Sequence, residues 1–141
     1  MVDADIYLWP VAAMALLTFA VWLRLFFTRI PEMRRERIHP QSVALSAQAT
    51  SRFRDTRAAD NFRNLFELPV LFYVAMAFAA MLRVESVALP ALAWAFVAAR
   101  VVHSAIQCSY NKVWHRFVAY LLGGWLLWSL WAVLAWHALA R

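Results

Sequence analysis

Charged residues and cysteine are scarce in this sequence, and each shortage excludes a class of protein. Only 16% of the 141 residues are charged and 65% are hydrophobic, whereas soluble domains are about a quarter charged and about half apolar. The single cysteine, Cys108, excludes an internal disulfide framework and any CxxC redox or zinc motif. The sequence has no HExxH motif and no carboxylate cluster, so we predict no metal site. We interpret residues 1–141 as one integral membrane domain.

Four long apolar segments are present, each close to the roughly 20 residues that a helix needs to cross a bilayer. They comprise residues 6–27, 64–82, 86–108 and 117–140. The second contains one charged residue, Glu67, and the third also contains one, Arg100. The connections between the last three segments are short, which favours antiparallel neighbours. We therefore predict an all-α fold, an antiparallel four-helix bundle that spans the membrane.

Most of the basic residues lie in two of the connections between these segments. The long first connection, residues 28–60, is rich in arginine, and the third contains Lys112 and Arg116. Because basic loops remain in the cytoplasm, we predict that both connections lie there and that both termini lie outside. The acidic residues Asp3 and Asp5 near the N-terminus agree with this orientation. The net charge of +6 is then a topology signal. We expect contact with membrane lipids and no binding of nucleic acid.

A polar face lies where the second apolar segment begins. Arg57, Asn61, Asn64 and Glu67 are separated by four, three and three residues. This spacing places their side chains on one side of a helix. A charged group at membrane depth is costly and usually faces the interior of the bundle. We therefore expect this face to meet another helix.

The stretch before this segment contains no residue that breaks a helix. No proline or glycine occurs between residues 41 and 68, so we predict that one continuous helix starts near Ala47 and enters the bilayer. Pro69 follows and is expected to kink this helix, because proline frees a backbone carbonyl one turn earlier.

The third segment carries a matching polar face. Arg100, His103 and Gln107 follow one another at helical spacing. Because Glu67 and Arg100 are expected at similar depth, we predict an ion pair between them. Two interpretations remain open. The pair could fix the register of the helices, or the face could form a pocket for an anionic or zwitterionic ligand whose carboxylates bind to arginine.

Two stretches, RAADNFRNLFELPVLFYV at 57–74 and AARVVHSAIQ at 98–107, resemble the MAPEG family, the membrane-associated proteins in eicosanoid and glutathione metabolism. The motifs concerned are Asn64-x-x-Glu67-x-Pro69 and Arg100-x-x-His103. The resemblance implies a homotrimer that binds glutathione as a co-substrate between subunits, near the cytoplasmic side. Together with the two polar faces, it yields the predicted binding residues Arg57, Asn61, Asn64, Glu67, Arg100 and His103. Arg116 is the plausible counterpart of the arginine that activates the thiol.

The resemblance implies a glutathione-dependent transferase or peroxidase that acts on lipophilic electrophiles. Such an enzyme works by stabilising a nucleophilic thiolate beside a cationic group. We expect a bacterial-type member of the family in the inner membrane. Two positions depart from the family pattern, with Asp60 where arginine is common and Gln107 where tyrosine is common. These departures favour the alternative hypothesis of a non-catalytic lipid-binding or structural oligomer.

Overall fold

The computed structural model describes residues 5–140, so Asp3, which supports the predicted orientation, lies outside the described residues. This part of the chain is entirely helical apart from its connections. The helices are α1 (Asp5–Arg35), a short 3₁₀ helix (Pro40–Val43), α2 (Ser46–Arg52), α3 (Arg57–Asn64), α4 (Leu68–Met81), α5 (Ala88–Cys108) and α6 (Val113–Leu139).

Four helical segments of the described chain are long and apolar enough to cross a membrane. They are Asp5–Arg35, Arg57–Met81, Ala88–Cys108 and Val113–Leu139. The second segment combines α3 and α4. The prediction of an all-helical chain with four membrane-spanning segments is therefore confirmed at this level. α1 continues beyond the predicted apolar segment and carries basic residues in its last turn, which suits the negative end of the helix dipole.

The predicted continuous helix from Ala47 is wrong, because the chain leaves the helical conformation after α2. Phe53 ends α2 with an extended backbone and is buried. Two contacts with α1 hold this bend. The backbone N–H of Arg54 donates to a carboxylate oxygen of Glu32 at 2.6 Å, and the Arg29 guanidinium lies 5.0 Å from the centre of the Phe53 ring. Tertiary contacts therefore override a local sequence without helix breakers.

A second interruption separates α3 from α4. Pro69 lies in the first turn of α4, where its missing N–H removes no helical hydrogen bond. Glu67 precedes α4 with φ −98° and ψ −105°, outside the helical region. Proline therefore begins a new helix here and does not kink an existing one.

The connection after α5 is a tight turn that brings the start of α6 back beside the end of α5. Both glycines of the chain, Gly123 and Gly124, lie inside α6. The backbone is left-handed just after α1, α4 and α5, a conformation that glycine usually adopts at the end of a helix. Here three other residues adopt it: Arg37, Arg83 and Asn111, with φ of 51°, 47° and 48°.

α5 is the most enclosed helix of the described chain. Half of its most apolar stretch is buried, compared with a third or less in the other spanning segments. Its Phe96 ring stacks on Phe72 of α4, with the ring centres 4.8 Å apart, and both rings are fully buried with Met14 of α1 and Leu127 of α6. The polar residues of α5 consequently lie inside the protein and need polar partners there.

Candidate functional site

Four polar side chains of α5 are buried towards its C-terminal end: Arg100, His103, Ser104 and Gln107. α3 and the beginning of α6 pack beside them. A cavity of about 500 Å³ opens between these three elements. Its polar lining consists of Asp60, Arg63, Asn64 and Glu67 from α3 and the following turn, His103 and Gln107 from α5, and Arg116 and Tyr120 from α6. We refer to this space as the polar cavity.

A hydrogen-bond network connects the three elements around the polar cavity. The side-chain amide of Asn64 donates to Oε1 of Gln107 at 3.0 Å. The same oxygen lies 3.0 Å from Nε2 of His103, and Nδ1 of His103 lies 3.1 Å from the backbone oxygen of Arg116. His103 and Gln107 are each only 2% exposed. The network therefore fixes the end of α3 and the first turn of α6 against α5.

Arg100 is a fully buried cation whose hydrogen bonds are incomplete. Its Nη2 donates to the backbone oxygen of Asn64 at 3.1 Å, and the guanidinium carbon lies 5.7 Å from the centre of the Tyr120 ring. Its Nε and Nη1 atoms have no hydrogen-bond partner among residues 5–140. A buried donor without a partner is costly, and a charged one more so. Asn64 and Tyr120, which contact Arg100, line the polar cavity, whereas Arg100 itself is fully buried behind them.

The predicted ion pair between Glu67 and Arg100 is not formed within the described part of the chain. Among the Arg100 nitrogens, Nη2 donates to the backbone oxygen of Asn64, and Nε and Nη1 have no partner among residues 5–140. The interruption between α3 and α4 explains this, because Glu67 is exposed at the cavity wall while Arg100 binds the carbonyl of Asn64. The two charges still attract each other at longer range.

Arg57 lies outside the polar cavity and contacts the end of α5. Its guanidinium forms an ion pair with Asp55 at 2.8 Å and donates to the backbone oxygen of Ser109 at the end of α5. The hydrogen bond from Arg57 holds the pKa of the Asp55 carboxyl below its ordinary value. Arg57 therefore stabilises the C-terminal end of α5, where backbone carbonyls lack helical partners.

Asn61 also lies away from the polar cavity and is fully buried between α3 and α5. Its amide donates to Sγ of Cys108 at 3.3 Å, and its oxygen accepts from the hydroxyl of Ser104 at 3.2 Å. Arg24 of α1 donates to the backbone oxygen of Cys108. We call this cluster, together with Arg57, the polar seam. The predicted polar face thus divides, with Asn64 and Glu67 in the cavity and Arg57 and Asn61 in the seam.

Comparison with known families decides what kind of protein this is. The model of the MAPEG family matches residues 7–136, which is most of the chain. The chain belongs to the MAPEG family. This confirms the family predicted from the two motifs and indicates a membrane protein of glutathione or eicosanoid metabolism. Neither the curated proteins nor the solved structures contain a significant match.

The polar cavity of this MAPEG protein includes residues that the sequence motifs did not identify as binding residues. Tyr120 lies one helical turn after Arg116 on α6, and this four-residue spacing would have placed it on the same face. Arg63 and Asp60 belong to the cavity because α3 turns that side towards α6. Gln107 connects Asn64 to His103 through its side-chain oxygen, because an amide oxygen has two lone pairs and can accept from both neighbours.

An apolar cavity adjoins the polar one in this MAPEG protein. It has a volume of about 400 Å³ and is lined by Leu68, Tyr120, Leu121, Gly124, Trp125 and Trp128. Tyr120 belongs to both cavities, so its ring separates a charged space from an apolar one. A charged molecule and a lipophilic molecule can therefore occupy neighbouring positions.

Proposed function

We propose that this MAPEG protein binds glutathione in the polar cavity and conjugates it to lipophilic electrophiles held in the adjoining apolar cavity. The observation on which the proposal depends is Arg100, a buried cation whose Nε and Nη1 atoms have no partner among residues 5–140. It contacts Asn64 and Tyr120, which line a cavity of ligand size. Small-molecule sites typically have volumes of about 300–1,000 Å³ with a few convergent polar groups. The polar cavity, at about 500 Å³, fits this range.

The charges of the polar cavity suit the zwitterionic end of glutathione. A carboxylate can accept a charge-assisted hydrogen bond from a guanidinium, and the Nε and Nη1 atoms of Arg100 have no hydrogen-bond partner among residues 5–140. Glu67 is exposed on the same wall and would accept the neighbouring ammonium group. We therefore assign the α-carboxylate and amino group of glutathione to Arg100 and Glu67, with the amide of Asn64 close by.

Arg116 is the residue that we propose to activate the thiol. It lines the polar cavity, and its Nη1 donates to Oδ1 of Asn111 at 2.9 Å, which fixes the guanidinium beside the cavity. A cation next to a thiol lowers the thiol pKa, so that the thiolate forms at neutral pH. The thiolate sulfur then attacks an electrophilic carbon, a C–S bond forms, and the leaving group departs with the electron pair of its bond.

We also propose the assembly and location of the protein. In a homotrimer, the open side of the polar cavity would face a neighbouring subunit. We place the chain in a bacterial inner membrane as an antiparallel four-helix bundle, with both termini outside and the first and third connections in the cytoplasm. The supporting observation is that exposed arginines cluster around the end of α1 and around α2, the end of the molecule near the polar cavity.

A glutathione titration of the purified protein in detergent tests the proposed function. We expect binding heat together with an ultraviolet absorbance increase from bound thiolate. Arg116→Gln should keep most of the binding heat and lose the thiolate signal, because it removes the cation beside the sulfur. S-methylglutathione, which has no ionisable thiol, should bind without the absorbance change. The absence of both heat and absorbance with the parent protein would contradict the proposal.

A non-catalytic lipid-binding role is the second candidate, and a separate groove favours it. This groove of about 880 Å³ lies between α5 and α6 and is lined mainly by alanine, valine and leucine side chains. It shares no lining residue with the polar cavity. Tightly retained phospholipid in the purified protein, together with no response to glutathione, would favour this role.

A further inference from the structure

One carboxylate of the polar cavity has no place in the proposed chemistry. Asp60 lies on α3 and lines the polar cavity. It precedes Asn64 by one helical turn, which is about 6 Å along the helix axis. Asn64 and the Arg100 guanidinium lie at the same level of the cavity, because the backbone oxygen of Asn64 accepts a hydrogen bond from that guanidinium. Asp60 is therefore displaced by one turn from the end of the cavity where Arg100 lies.

Two neighbours hold the Asp60 carboxylate in place. The hydroxyl of Thr56 donates to Oδ2 at 2.9 Å, and Nη1 of Arg63 lies 3.6 Å from Oδ1. The side chains of Arg63 and Asp60 are about half exposed, so the pair lies at the edge of the cavity in contact with solvent. The charge of Arg63 at this edge is already balanced by Asp60.

A tripeptide bound in the polar cavity is long enough to reach this edge. Three extended residues span about 10 Å, which is longer than the roughly 6 Å rise between Asn64 and Asp60. A ligand that places its α-carboxylate at Arg100 and its ammonium at Glu67 would therefore bring its other end close to Asp60. In glutathione, that other end is the carboxylate of glycine, which the charge of Asp60 repels.

We propose that Asp60 is a specificity-determining residue that disfavours a second carboxylate on the thiol co-substrate. The preferred ligand is a thiol compound with one free α-carboxylate and α-amino group, and with a neutral or cationic group at its far end. This inference depends on the proposed thiol-binding function. Specificity of this kind arises from an unfavourable contact with the competing ligand.

The test compares glutathione with its glycine monoethyl ester, which lacks the second carboxylate charge. Isothermal titration calorimetry on the full-length protein in detergent measures both dissociation constants. We expect the parent protein to bind the ester about tenfold more tightly than glutathione. Asp60→Asn should remove this preference by improving the binding of glutathione, whereas Asp60→Glu should retain most of it.

Two further variants separate the charge of Asp60 from other effects. Arg63→Gln removes the cation that balances Asp60, so the preference for the ester should increase. Asp55→Asn is the matched control, because it removes a carboxylate from the same part of the chain but outside the polar cavity. It should leave the preference unchanged. Thermal unfolding of each variant, followed by circular dichroism, shows whether it is folded.

The outcomes distinguish the two proposals. If neither ligand binds to the parent protein or to any variant, the proposed function is wrong. If both ligands bind but the parent and Asp60→Asn show the same ratio of affinities, the thiol-binding function stands and the role of Asp60 is wrong. A ratio that Asp55→Asn changes as much as Asp60→Asn would also overturn the role of Asp60, because it would show a general charge effect.

Discussion

The polar seam and the polar cavity adjoin each other along one face of α3, yet they differ in how completely their polar groups are paired. In the seam, the buried amide of Asn61 both donates and accepts hydrogen bonds, and Ser104 and Cys108 are its partners. Arg100, which contacts the cavity residues Asn64 and Tyr120, is equally buried, but its Nε and Nη1 atoms have no partners among residues 5–140. The same helix thus contributes to one paired cluster and one incompletely paired cluster.

This difference separates a structural role from a binding role. A fully paired buried network stabilises one arrangement of helices, and it leaves no group free for another molecule. A buried cation with unpaired donors lowers stability unless an anion binds to it. Spacing along α3 alone does not distinguish the two clusters, whereas the hydrogen-bond partners do. Removing a residue of the cavity cluster should therefore mainly lower ligand affinity, whereas removing a residue of the seam should mainly lower the free energy of unfolding.

The largest effect is expected for Arg100→Met, which removes the unpaired cation and keeps much of its apolar stem. We expect glutathione affinity to fall about a hundredfold, or about 3 kcal/mol, because a charge-assisted pair is lost. The free energy of unfolding should stay the same or increase, because a buried charge without a full set of partners is replaced by a thioether. Calorimetry and thermal unfolding in detergent measure the two quantities. A lower stability with unchanged affinity would assign Arg100 to the structure alone.

Asn61→Ala should show the opposite pattern. The variant leaves the Ser104 hydroxyl and the Cys108 thiol without their partner, so the free energy of unfolding should fall by about 1–3 kcal/mol. Glutathione affinity should change by less than about twofold, because Asn61 does not line the cavity. Chemical denaturation followed by tryptophan fluorescence measures the loss.

Asn64→Ala is the matched control for Asn61→Ala, one turn further along the chain. It removes a side-chain hydrogen bond of similar length, the 3.0 Å contact with Gln107, but from the wall of the polar cavity. Both stability and glutathione affinity should therefore decrease. If Asn61→Ala lowers affinity as much as Asn64→Ala does, the seam is not separate from the cavity.

Hydropathy and residue spacing were sufficient to predict an all-helical chain with four segments long and apolar enough to cross a membrane. A long apolar run is enough to predict a spanning helix, because the thickness of the bilayer sets the minimum length of such a helix. Helical spacing also correctly brought Arg100, His103 and Gln107 to one side of α5, and all three are buried there. These features depend on local periodicity, which a single sequence contains.

The division of the α3 face could not be predicted in the same way. A helical face is wide enough to contact two neighbours, and the packing of α5 decides that Asn61 meets Ser104 while Asn64 meets Gln107. The start of a new helix at Pro69 was also ambiguous, because proline occurs both in helix kinks and in first turns. Both features depend on contacts between segments that are distant in the sequence.

The smallest effect is expected for Asp55→Asn, at the exposed edge of the polar seam. The carboxyl of Asp55 is paired with Arg57 and has a lowered pKa because of that hydrogen bond. A lowered pKa in the folded state stabilises the protein above the unfolded value of about 3.9, and this contribution is lost as the pH falls through the folded value. Since the pair is partly exposed, the loss at pH 7 should be below about 1 kcal/mol. Thermal unfolding of parent and variant should differ slightly at neutral pH and converge in acid below the folded pKa. A difference that persists unchanged in acid would show that Asp55 acts through packing and not through its charge.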